Sequence, residues 1–167
     1  MMTRSSLALL FAICFPSIAV AGATINSAGS GYSVTFPVQP KKQSSSEKGV
    51  NSTIYVVRDG DNIFASSETL YPEIKDVQSE LEADLANYVK GINSKLVSER
   101  KADFITSAGT PLPARQFTFE GEKLAGKGIA VASDRCTCVV IVIAGNIKPN
   151  GENAPNEKFL SSFKIDK

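Results

Sequence analysis

Histidine and tryptophan are both absent from the 167 residues, and the first of these gaps excludes more chemistry than any motif supplies. Without an imidazole there is no Ser-His-Asp or Cys-His nucleophile pair, no His-ligated zinc, and no side chain whose ordinary pKa lies near 7. Most familiar hydrolase mechanisms are excluded with it. An excess of charge is missing too: 18 Lys and Arg face 17 Asp and Glu, a formal net charge of +1. Nothing therefore steers the chain to nucleic acid or to an anionic membrane surface. Cysteine is scarce, at three, so no disulfide scaffold is expected to carry the stability. No metal site or cofactor is expected either. The Asp59-Gly60-Asp61-Asn62 stretch has the flavour of a calcium loop, but Ile63 stands where a ligand is required and no Glu closes the set at the twelfth position.

What is present begins with an N-terminal address. Arg4 precedes an apolar stretch from Leu7 to Val20, and Ala19-Val20-Ala21-Gly22 follows with small residues where a signal peptidase requires them. The stretch is about 14 residues long, short of the roughly 20 that a membrane span needs. Residues 1–21 are therefore expected to be a signal peptide cut between Ala21 and Gly22, with no stable membrane insertion afterwards. Cys14 does not suit lipid attachment, because the bulky Ile13 precedes it. The expected location is the periplasm or the outside of a bacterial cell. The remaining 146 residues suit one domain, with 22–31 as a small, polar, flexible leader and 32–167 as the folded unit.

Along that unit, Tyr32-Ser33-Val34-Thr35-Phe36 alternates apolar with hydroxyl side chains, the period of a strand with one buried face, and Pro37 ends it. Gln39 to Gly49 reads as a solvated loop. Val50 to Arg58 and Ile63 to Leu70 read as strands joined by the tight turn at Asp59–Asn62. From Val77, apolar residues recur at Leu81, Leu85, Tyr88, Val89, Ile92 and Leu96, which is one face of a helix expected over Val77 to Asn93 with Asp76 as its N-cap. Extended segments follow at Leu96–Ile105, Arg115–Glu120 and Leu124–Ser133. The run Val139-Val140-Ile141-Val142-Ile143-Ala144 does not alternate, so it predicts a strand covered on both faces. Pro155 suits the first turn of a short helix, and Phe163-Lys164-Ile165 a closing strand.

Tyr32 to Pro37, Tyr71-Pro72 before the long helix, Pro113-Ala114-Arg115, and Lys158-Phe159-Leu160-Ser161-Ser162-Phe163, taken in this order, resemble the PsbP/Mog1-like family and its small exported bacterial relatives. The resemblance implies an α+β fold, an antiparallel β-sheet with helices on both faces in an α/β/α sandwich. It also implies a docking or assembly module, since one branch of the family attaches to the photosynthetic oxygen-evolving machinery and another to a nuclear GTPase. No residue of either branch's interaction surface carries over to this chain.

Cys136-Thr137-Cys138 is the constellation with chemical potential. Export favours oxidation, but residues two apart on a strand lie at the edge of disulfide reach, so a bridge needs a bent backbone. The turn-like Ser133-Asp134-Arg135 places that bend near Cys136, with the strand beginning near Cys138. A local bridge or two quiet thiols, redox activity with Arg135 lowering a thiol pKa, and metal or intermolecular disulfide use are the three readings. The function expected first is a non-catalytic binding or assembly module of the cell envelope whose partner is an envelope protein. The alternatives are a thiol–disulfide protein using Cys136 and Cys138, and a carrier of a small apolar ligand.

Overall fold

The computed structural model describes residues 22–122, 124–144 and 154–166. The expected signal peptide, with Cys14 and Ala21, lies outside the described residues, as do residues 145–153. Ten strands and two helices occur among the described residues. In chain order they are β1 (Ala23–Asn26), β2 (Tyr32–Phe36), β3 (Lys41–Glu47), β4 (Val50–Asp59), β5 (Asn62–Leu70), α1 (Val77–Gly91) and β6 (Ser94–Ile105), then β7 (Pro111–Gly121), β8 (Ala125–Ala132), β9 (Cys136–Ala144), α2 (Ala154–Ser161) and β10 (Lys164–Ile165). Seven strands form one antiparallel sheet in the order β3-β4-β5-β9-β8-β7-β6, and three form a second in the order β1-β2-β10.

The non-alternating run occupies the middle of the large sheet. β9 is its central strand, and all nine of its residues are buried. Val139, Ile141 and Ile143 meet Leu81, Leu85, Tyr88 and Val89 of α1 on one face. Val140 and Val142 meet Tyr32, Val34, Phe36, Phe159 and Ile165 on the other. Each large side chain buried in this way contributes about 1.5–3 kcal/mol, so β9 is held from both sides. Gly126 and Gly128 of β8 leave the space that the Phe119 and Phe117 rings occupy: a Cβ on Gly126 would lie 2.3 Å from the Phe119 ring.

The layering differs from the expected α/β/α sandwich. Helix α1 does cover one face, but the opposite face is covered by the three-stranded sheet, with the eight-residue α2 inserted beside it. The fold is mainly β, with two sheets and a single long helix. A doubly buried run establishes that both faces are covered, not by what, because strand and helix layers desolvate it equally well. Two segments expected to be irregular supply the difference. Gly22–Gly31 holds β1, which pairs with β2 from Ala23↔Phe36 to Asn26↔Ser33. Gln39–Gly49 holds β3, which pairs with β4 along all seven residues. Helix α1 starts as expected: the Asp76 carboxylate accepts the Ser79 N–H at 3.1 Å, and the bonds from Ser79 hold its pKa below the ordinary value. No helix of the described residues is long and apolar enough to cross a membrane.

Candidate functional site

Cys136 and Cys138 flank Thr137 on an extended strand, so both side chains project from the same face of β9, toward the three-stranded layer. Cys138 is 1% and Cys136 7% exposed, and neither is in a disulfide. The expected bend falls one residue too early to help. It lies in the Ser133–Arg135 turn, which the Ser133 N–H closes onto the Cys136 carbonyl at 2.8 Å, and β9 is already extended at Cys136. Two strand steps separate the Cα atoms by about 6.7 Å, whereas a bridge needs Cβ atoms roughly 3.8 Å apart. The Cys138 thiol is held well above its ordinary pKa by its hydrogen bond to Cys136, by burial and by the nearby Glu68 carboxylate. An activated thiolate requires the opposite environment, and Arg135, expected to provide it, is exposed on the turn. Of the residues expected at signal cleavage, Gly22 is described as an exposed residue just before β1.

Sequence reasoning missed Glu68. The β5–β9 register sets it directly opposite Cys138, and it is 6% exposed. Its carboxylate accepts the Ser27 hydroxyl, 2.7 Å from both oxygens, and the Ser30 N–H at 2.8 Å. These bonds draw the β1–β2 turn down onto the large sheet. Gly29 of that turn sits so close that a Cβ there would be 2.6 Å from Leu70 Cδ1. The available signal was parity: Phe64, Ser66, Glu68 and Leu70 share one face of β5, and Phe64 and Leu70 pack in the core.

A second buried charge lies on the other face. Arg115 of β7 is 1% exposed and shares its face with Phe117 and Phe119. Its Nη2 donates to Gln78 and Glu82 of α1, each at 2.8 Å, and its Nε lies 2.7 Å from Glu99 of β6. That Nε is out of line for a hydrogen bond to Glu99, so the contact is an ion pair rather than a shared proton. The guanidinium ties the helix and the last strand of the sheet to one buried point.

That last strand carries the exposed large apolar side chains of the fold. β6 is a 12-residue margin of the seven-stranded sheet, and the three exposed large hydrophobic side chains among the described residues all lie on it: Leu96 at 41%, Val97 at 50% and Ile105 at 61%. The register slips by one residue between Leu96 and Ser98, a bulge that turns Val97 outward. Lys95, Arg100, Lys101 and Asp103 carry charge along the strand, and Leu96 opens into a shallow groove against Leu85, Ala86 and Val89 of α1. The strand itself was expected. Its place at the margin was not, because margin and centre differ only in long-range pairing.

No protein-family model matches this sequence, and no curated protein matches it. Among solved structures, a crystal structure from Bacteroides thetaiotaomicron VPI-5482 is similar at 13% identity with a TM-score of 0.39, over 89% of this chain and 50% of that one. The chain thus spans half the length of that protein. A likeness at this level carries no argument about function.

Proposed function

We propose that this chain is a non-catalytic binding or assembly module of the bacterial cell envelope, related to the PsbP/Mog1-like proteins, and that it contacts its partner along β6. The observation that carries the reading is the concentration of the exposed large hydrophobic side chains on one open sheet margin. A strand margin offers a row of unpaired N–H and C=O groups, which an extended segment of another protein satisfies by adding a strand. The charged residues and the bulge of β6 oppose indiscriminate pairing, so the partner segment has to bring matching charge at its centre and apolar side chains at its ends. The signal-like N-terminus supports the address, and the family resemblance supports docking as the task.

The thiol–disulfide alternative is opposed by the buried, carboxylate-neighboured setting of Cys138. The groove beside Leu96 is lined by Glu82, Lys90, Lys95 and Glu99 as well as by apolar side chains, which suits a peptide side chain better than a small apolar ligand. Photo-crosslinking from the envelope tests the proposal. A photoreactive residue at Val97 is expected to capture one recurrent partner segment, and the same probe at Ser45 of β3 to capture none. Equal capture from both positions, or none from Val97, would count against it.

A further inference from the structure

We infer that Cys136 and Cys138 form a two-coordinate site for a soft monovalent cation of the copper(I) class. The argument starts from the spacing that prevents a disulfide. Thiols two apart on an extended strand stand too far apart for a sulfur–sulfur bond, yet here they share a face and the Cys138 thiol is hydrogen-bonded to Cys136. A thiolate–metal bond is roughly 2.3 Å long. Two such bonds in line span about 4.6 Å, less than the roughly 6.7 Å between Cα atoms two strand residues apart, so the two same-face sulfurs lean toward each other to hold the ion. Soft thiolates select copper(I) over harder ions. Zinc is poorly served, because no group of three or more His, Cys, Asp or Glu is placed to hold a metal among the described residues and a zinc site wants four ligands.

The surroundings fit a closed site with one approach. Cys138 is sealed, while Cys136, the first residue of β9, keeps slight exposure beside the Ser133–Arg135 turn. The Ser133 hydroxyl lies 3.2 Å from Cys136 Sγ and can donate to it once it is a thiolate. On binding, two S–H bonds break, two sulfur–metal bonds form, and two protons leave to water. Two neutral thiols and a monovalent cation become a complex of charge −1. The Glu68 carboxylate opposes that charge, and the bonds from Ser27 and Ser30 already spread its own. Glu68 therefore sets the affinity without being a ligand.

The test uses the full chain carrying Cys14→Ser, reduced and without oxygen, titrated with copper(I) against a chromophoric cuprous chelator. One copper(I) per chain is expected, with two sulfur neighbours at a single distance by X-ray absorption. Cys136→Ser and Cys138→Ser should each weaken binding by more than about a hundredfold. Glu68→Gln should tighten it by about tenfold, the effect of removing one adjacent negative charge. The sulfur count on the otherwise unaltered chain needs no folded variant, so it decides the matter even if a serine substitution unfolds the core. A single sulfur neighbour, or affinity unchanged when both cysteines are replaced, overturns the proposal, as does zinc(II) binding as tightly as copper(I).

Discussion

The two margins of the seven-stranded sheet are built differently. β3 is seven residues long, reads Lys-Lys-Gln-Ser-Ser-Ser-Glu and contains no large apolar side chain. β6 is 12 residues long and displays Leu96, Val97 and Ile105. β3 follows the usual strategy for a strand that must not pair again, being short, polar and lysine-bearing. Side-chain burial does little to hold it, and its ladder with β4 keeps it in place. β6 is anchored instead: Glu99 meets the buried Arg115, and Phe104 packs against the Phe163 ring with 5.0 Å between centroids. A strand anchored on its inner side that also displays large apolar side chains is suited to receive a partner; a strand that is polar throughout is suited to refuse one.

Two variants sharpen or break this contrast, and a third serves as a control away from it. The largest effect is expected on capture. Leu96→Lys with Val97→Lys makes β6 resemble β3 and should reduce partner crosslinking from Arg100 by at least about tenfold, since apolar anchors carry most of the energy of such contacts. The thermal midpoint should stay nearly constant, because both side chains are exposed. Next, Glu99→Gln loosens the anchor. It leaves the buried guanidinium with one carboxylate, Glu82, which is 54% exposed, and should cost about 1–3 kcal/mol in denaturant unfolding, with faster amide exchange in β6 than in β3. The smallest effect is expected at Asp76, far from both margins. Its pKa is depressed in the fold, so its contribution is present above the ordinary carboxylate pKa and is lost as pH falls through the lowered value. Asp76→Ala should lower the midpoint slightly near neutral pH and make no difference in strong acid.

The legible parts of this fold were those whose side chains report their own surroundings. β9 announced two covered faces through an unbroken β-branched run, α1 announced one covered face through steps of three and four, and the β4–β5 turn announced itself through Asp, Gly and Asn. β1 and β3 were illegible because small polar side chains do not reveal pairing; their partners recruit them through backbone hydrogen bonds. The second sheet layer was therefore mistaken for helix. At the candidate sites, the shared face of Cys136 and Cys138 was readable from their spacing. Glu68 opposite Cys138, and Arg115 between α1 and β6, depend on registers and packing between residues 16 to 70 positions apart. No local pattern encodes such distances.

Hydrogen exchange on a complex with the partner proposed for β6 is the most direct test of the unequal margins. Slowed exchange is predicted for the outward amides of Ser98 to Ile105, with Lys41 to Glu47 exchanging as in the chain alone. Unchanged exchange along β6, with protection at β3 or on the outer surface of α1, would contradict the account.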